Sequence, residues 1–192
     1  VIDNAAEFTG YMTRVEREHF AILAQPFVRA PEYRVFVLNG RPLFSYRKTL
    51  PSVVGDGKST LQELVAVKSC DPDAPPLKAR GRDRNGVKLD AEDVAIAGAE
   101  IVLDGPANRS AGGGSADLQD GAPRSLADLA LRATNAIGLS LAAVDIFDVN
   151  GNLREPVVIE VNSNPMIATL EDNERWHLII EIWRANFEVA LR

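Results

Sequence analysis

The 192-residue chain has little of what would place it at once in a special class. Its single cysteine, Cys70, excludes an internal disulfide and is expected of a reducing, cytoplasmic compartment. Its two histidines, His19 and His177, fall on predicted helices without zinc spacing or a triad partner, so both read as surface or core residues. No apolar run approaches membrane-spanning length, and no charged-then-apolar leader opens the chain, so no membrane partner is expected. There is no internal repeat and no excess of basic charge. A net charge of -6 and a pI near 5.0 argue against a nucleic-acid partner. An initiator Met is also missing, and the opening Val1-Ile2 reads as a fragment, a processed chain or a trimmed one.

What is present is ordinary for a globular chain: 46% hydrophobic and 25% charged residues, enough for one sizeable domain or two small lobes sharing a core. The order of elements reads as α+β, with antiparallel hairpins rather than βαβ alternation. Asn4 or Thr9 could cap an opening helix reaching about residue 19, with Phe8, Met12 and Val15 on one face. A short edge strand or linker is expected over residues 22–28, interrupted by Pro26. Residues 32–38 alternate well, Asn39-Gly40 is a strong hairpin signal, and the return strand over 42–50 sets Phe44, Tyr46 and Lys48 on one face. After the Gly55-Asp56-Gly57 turn, Ser59 or Thr60 caps a short helix through residue 67.

Residues 70–88 and 104–120 show no period and read as irregular excursions, with a strand over 100–103 between them. Ser125 caps a helix over 126–137 that Gly138 ends. A strand over 142–149, an Asn150-Gly151 turn and a strand over 157–162 follow, and a last helix over about 170–191 carries Trp176, Ile179, Ile180, Trp183 and Phe187 on one face.

The last strand carries the chemistry. Val157-Val158-Ile159 begins a β-branched run of the kind buried on both faces, and Glu160 and Asn162 then interrupt it two residues apart, on one side. Polar residues at a strand end that meet water, or cap the Asn164-Pro165 turn, give the plain alternative. The preceding strand, about 5 Å away across a hairpin, carries Asp145, which can face both. Two acids held that close repel unless a cation lies between them. Asp…Glu-x-Asn on a hairpin therefore makes a plausible divalent-cation platform, suited to Mg²⁺ bridging nucleotide phosphates.

At these residues the sequence resembles the ATP-grasp carboxylate–amine ligases, over nearly the whole chain. Asp145, Glu160 and Asn162 fall on that family's metal triad, followed by an Asn-x-x-Pro-like turn. Asn108-Arg109-Ser110-Ala111-Gly112-Gly113 is similar to the Asn-x-x-x-Gly-Gly segment of the cyanophycin synthetase and bifunctional glutathione synthetase branch. The stretch from Val53-Val54-Gly55-Asp56-Gly57 to Thr60-Leu61-Gln62-Glu63-Leu64 is close to that branch's Val-x-Gly-Asp-Gly-x-x-Thr-Ile-x-Glu-Leu signature. Glu32-Tyr33-Arg34-Val35-Phe36-Val37 resembles the strand whose Arg reaches the reacting phosphate.

The resemblance implies the C-terminal part of an ATP-grasp fold, a mixed or antiparallel sheet with flanking helices and an incomplete upstream lobe. It implies amide or peptide bond formation, in which ATP converts an amino-acid or peptide carboxylate to an acyl phosphate that an amine then attacks. Asp145, Glu160 and Asn162 would hold Mg²⁺, or Mn²⁺ in its place. Arg34, with either Lys48 or Arg47, would offset phosphoryl charge. Lys48 stands where the family usually has Arg, keeping the charge without the bidentate fork. Asn108 with Gly112 and Gly113 would bind phosphate or the acyl intermediate, and Gln25, Pro26, Phe27 and Val28 would line the adenine site. Two departures accompany it. The upstream lysine-bearing strand and glycine-rich lid are not found, and Asp104 stands where a basic residue is usual, with Arg109 as a substitute. A catalytically incomplete fragment, serving as a nucleotide-binding or structural module, is the alternative. Homo-oligomerisation is left open.

Overall fold

The computed structural model describes residues 2, 4–17, 21–22, 26, 28, 30–69, 77–109 and 112–191. The fold is α+β, and every strand pairing among the described residues is antiparallel.

Helix α1 (Ala5–Val15) starts at Asn4, whose side chain accepts from the Glu7 backbone N–H at 2.9 Å. Asn4 is the cap because it lies just outside the first turn, with its orphan donors in reach. Of the expected apolar face, Val15 is buried and Phe8 is exposed. The strand expected over 22–28 falls largely outside the described residues, and Ile22, Pro26 and Val28 belong to no strand.

The main sheet has five strands, ordered β7-β2-β1-β8-β9. Strands β1 (Glu32–Leu38) and β2 (Arg41–Thr49) form a hairpin over Asn39 (φ 49°) and Gly40 (φ 72°). Both turn residues sit in the left-handed region that a two-residue hairpin matching strand twist requires, and Asn and Gly tolerate it. Strands β8 (Leu141–Asp148) and β9 (Pro156–Asn162) extend the sheet on the other side. Helix α3 (Arg124–Ile137) covers one face with Leu126 and Ala130 against Val35, Val37, Val144 and Ile146. Helices α4 (Ala168–Asp172) and α5 (Trp176–Ala190) cover part of the other, with Leu170, Leu178 and Ile182 over Phe36, Phe44 and Ala143. Phe36 and Phe44 are cross-strand partners and stack with centroids 4.9 Å apart.

A second sheet is inserted between β2 and the edge strand β7 (Gly114–Asp120), ordered β3-β6-β4-β5. It comprises β3 (Ser52–Val54), β4 (Gly81–Asp83), β5 (Lys88–Leu89) and β6 (Glu100–Leu103). With helix α2 (Leu61–Lys68) it closes a small core of Val53, Leu61, Val65, Leu89, Ile101 and Leu103. Thr60 and Glu63 form a reciprocal capping box at the start of α2. Gly55 is required at its bend: a Cβ there would lie 2.4 Å from the Ile96 carbonyl oxygen.

Several sequence expectations change. Residues 81–83 and 88–89, read as irregular, are strands too short to show a period, and their pairing comes from β6 and from each other. Residues 114–120, also read as irregular, are β7; its glycine, acids and left-handed Asp117 (φ 57°) hide the alternation. Ser125 does not cap α3, which begins at Arg124 after Pro123 without a side-chain cap. Asn150-Gly151 sits inside a longer connection over 149–155, organised by Asp148 accepting from the Asn152 and Leu153 amides. Strand β9 is a sheet edge rather than a strand buried on both faces, with Val157 52% and Ile159 38% exposed. The last helix is divided at residues 173–175, where Glu174 has φ 55°. Leu178 and Ile182 turn its inner side to the sheet, which leaves Trp176, Ile180, Trp183 and Phe187 outward.

Candidate functional site

The face of the main sheet that carries Phe36 and Phe44 changes character toward its other end. Alternation along β1 puts Glu32 and Arg34 on the same side as Phe36, and alternation along β2 puts Tyr46 and Lys48 there with Phe44. Register then sets Glu32 opposite Lys48, Arg34 opposite both Tyr46 and Asp145, and Asp145 opposite Glu160. Ala143 pairs with Asn162, so Asn162 shares this side too. The strand pairing alone gathers the charged residues at one end of one face.

Asp145 is the centre of the cluster. Its side chain is 1% exposed, and a carboxylate in that position is costly unless compensated. Arg34 supplies a two-pronged pair, Nε to Oδ1 and Nη2 to Oδ2, both at 2.7 Å. Lys48 Nζ donates to Oδ2 at 2.8 Å. Burial alone would raise the Asp145 pKa, but the hydrogen bonds from Arg34 and Lys48, and then their charges, outweigh it and hold the carboxyl below its ordinary value. The hydrogen bond to Asp145 in turn raises the Arg34 pKa above its already high value, against the opposing effect of burial.

Lys48 also donates to Glu32 Oε1 and, at 3.3 Å, to Asn108 Oδ1. An ammonium has three N–H donors, and this one has three acceptors around it. Asn108 reaches that position because its loop is pinned to the end of β2. The Gly113 N–H donates to the Asn108 carbonyl at 3.0 Å, and the Gly112 N–H donates to the Arg109 carbonyl at 3.0 Å. A Cβ on Gly113 would lie 2.4 Å from the Ala107 oxygen and 2.8 Å from that of Thr49, so only glycine permits the approach.

Glu160 and Asn162 stand beside the cluster on the edge strand, with Asn162 Nδ2 donating to Glu160 Oε1 at 3.1 Å. Asp145, Glu160 and Asn162 together offer carboxylate, carboxylate and amide oxygens on one face, a donor set suited to a hard divalent cation. Among the described residues no three His, Cys, Asp or Glu side chains converge, so any such site depends on the amide.

The other candidates divide clearly. Arg47 points away from the cluster to Asp117 (3.0 Å), so Lys48 is the cation the fold brings in. Arg109 is engaged by Asp172 of α4, with Nε and Nη2 each 3.0 Å from a carboxylate oxygen. Asp56 serves its turn, accepting from the Lys58 and Ser59 amides and from the Ser59 hydroxyl; these bonds, the Ser59 amide first, lower its pKa to about 2. His177 meets Asp120 at the surface, 3.2 Å away. Gln25, Phe27, His19 and Cys70 lie outside the described residues, and Pro26 and Val28 make no contact with the cluster among the described hydrogen bonds. Glu32 was missed as a site residue. Its only sequence signal is parity: it lies two residues before Arg34 and faces Lys48 once the Asn39-Gly40 turn sets the register.

Comparison with known proteins bears on the same segments. Residues 107–185, which run from the Asn108 loop through Asp145, Glu160 and Asn162 into α5, match the RimK-like ATP-grasp domain family. The chain is 30% identical over 167 residues to the glutathione biosynthesis bifunctional protein GshAB of Streptococcus mutans, covering 77% of this chain and 22% of that protein. It is 30% identical over 177 residues to GshAB of Enterococcus faecalis, covering 83% of this chain and 23% of that protein. It thus spans less than a quarter of the length of these two relatives. Among solved structures, it is similar to a bifunctional glutathione synthetase from Pasteurella multocida, with 27% identity, a TM-score of 0.48, and coverage of 81% of this chain and 24% of that one.

Proposed function

For a chain with an ATP-grasp fold whose residues 107–185 belong to the RimK-like ATP-grasp family, we propose that it forms the metal- and phosphate-handling part of an ATP- and Mg²⁺-dependent ligase. The parent joins an amino-acid or peptide carboxylate to an amine through an acyl phosphate. The observation that carries this reading is the gathering of Arg34, Lys48 and Asn108 around Asp145, beside Glu160 and Asn162, on one otherwise apolar sheet face.

Phosphoryl transfer asks a protein mainly for positioning and charge neutralisation. Asp145, Glu160 and Asn162 would hold Mg²⁺, whose role is to neutralise and orient the nucleotide phosphates. Arg34 is fixed by its pair with Asp145 and presents a preorganised cation at the edge of that platform. Lys48 offers a point charge rather than a fork, suited to a group whose oxygens move during transfer. Asn108 holds Lys48 from the loop side, and the glycines at 112 and 113 close that loop, their N–H groups donating to the Arg109 and Asn108 carbonyls. The adenine contacts of Gln25, Pro26, Phe27 and Val28 belong to this proposal, as do small-molecule substrates and a cytoplasmic setting. Among the described residues no helix is long and apolar enough to cross a membrane.

A second reading has its own support. Asp145 is fully compensated by Arg34 and Lys48 without any metal, as a purely structural ion cluster would be. Calorimetry with Mg·ATP on the chain, Asp145→Ala and Glu160→Ala separates the two. Heat from the unaltered chain that both substitutions abolish supports the ligase reading, and heat unchanged by them refutes the metal assignment. Release of ADP and phosphate by the full-length parent, with a panel of carboxylates and amines, tests the reaction itself.

A further inference from the structure

The proposed metal carboxylate is already occupied by cations from the chain itself. Arg34 takes one lone-pair direction on each Asp145 oxygen, and Lys48 takes a further one on Oδ2. Lys48 in turn has its three donors directed at Asp145, Glu32 and Asn108. In this arrangement Lys48 has no donor left for a phosphate, and Oδ2 has little acceptor capacity left for a metal ion. The Lys48 role requires one of its bonds to give way, and release of the Lys48–Asp145 bond also frees Oδ2, beside the open lone pair of Oδ1, for a metal ion.

Resting on the reading above, we propose that Glu32 is a positioning residue acting through Lys48. It keeps the Lys48 ammonium inside the site when a divalent cation takes the Asp145 oxygen that the ammonium holds here. The geometry supports this division of labour. Glu32 and Lys48 are cross-strand partners on the β1–β2 hairpin, so their contact does not depend on the β1–β8 pairing that delivers Asp145. Both side chains are largely covered, 19% and 5% exposed, so the ammonium has a second anion within reach and little access to water. Arg34 cannot substitute for it, since its two-pronged pair keeps it on Asp145. The exchange releases one Lys48 N–H, on the side of the metal, where an anionic oxygen of substrate can accept it.

Two measurements on the chain test this. Manganese binding without nucleotide, followed by electron paramagnetic resonance, asks whether the cation site exists. Nitrogen-15 NMR of the Lys48 ammonium during Mg²⁺ titration asks where the ammonium goes. The expected result is Mn²⁺ binding that Asp145→Asn abolishes, with a Lys48 Nζ resonance that shifts on Mg²⁺ addition yet stays sharp. In Glu32→Gln that resonance broadens or vanishes on Mg²⁺ addition, as an ammonium released to water does, and Glu32→Asp restores it in part. A purely structural Glu32 would not make the loss conditional on Mg²⁺. Metal binding with an unmoved Lys48 resonance, or a resonance equally sharp in Glu32→Gln, overturns the proposal and leaves the metal assignment standing. Absence of any Mn²⁺ binding at millimolar concentration overturns both.

Discussion

The two ends of one sheet face are built by the same alternation and stabilised by opposite means. At one end Phe36, Phe44 and Ala143 lie under Leu170, Leu178 and Ile182, and burial itself is the favourable term. At the other, two to four residues further along the same strands, Asp145 and Lys48 are buried with Glu32 and Arg34 partly covered beside them, and burial is the unfavourable term that mutual pairing must offset. A strand pattern thus fixes which residues share a side, while the neighbours on other strands determine whether that side is a core or a site.

Substitutions at the two ends should fail in different ways. Phe36→Ala should cost about 3–5 kcal/mol in urea denaturation, with little salt dependence, because it leaves a cavity beside Phe44 and Ala143. Asp145→Ala should also cost about 3–5 kcal/mol, since it leaves the partly buried Arg34 without its carboxylate and the buried Lys48 with Glu32 alone. If Asp145→Ala costs under about 1 kcal/mol, the charged end is not held by pairing and the contrast fails.

Acid acts on one end only. The folded Asp145 pKa lies below its unfolded value, so its stabilising contribution is present above the unfolded carboxylate range, about 4, and is lost as pH falls through the folded pKa. Stability of the unaltered chain should decline on that acid limb, and Asp145→Asn should flatten the decline, measured as denaturation midpoints from pH 7 to pH 2. Equal acid limbs would show that Asp145 does not carry this dependence. Smaller still, Arg109→Ala should cost no more than about 1 kcal/mol, because its pair with Asp172 is half exposed. Glu160→Ala, at an exposed edge-strand position, should change stability within about 0.5 kcal/mol while abolishing metal binding.

Much of this region was legible from residue order. The hairpin at Asn39-Gly40 follows from two residues that accept a left-handed backbone, and parity from there places Phe44, Tyr46 and Lys48 on one side. Asp145 facing Glu160 followed from pairing adjacent strands, even though the connection over 149–155 is longer than the Asn150-Gly151 turn that was expected. The second sheet was legible only in part, because strands of two or three residues carry no period and exist through their partners. Of the expected face, Trp176, Ile180, Trp183 and Phe187 point outward together while Ile179 packs inward with Leu178 and Ile182, because helical spacing does not say which of two apolar faces meets the sheet.

Local chemistry in the chain sufficed for the strand parities, for narrowing two helix caps to Asn4 or Thr9 and to Ser59 or Thr60, for the stop at Gly138 and for the carboxylate, carboxylate and amide that share a side. These depend on backbone preferences and spacing, which act over a few residues. The choice of Lys48 over Arg47 as the cation at Asp145, the engagement of Arg109 by Asp172 and the position of Glu32 between strand and ammonium were settled only in three dimensions. Each is a contact between residues distant in the chain, and a charged side chain takes whichever partner the assembled fold sets within its reach.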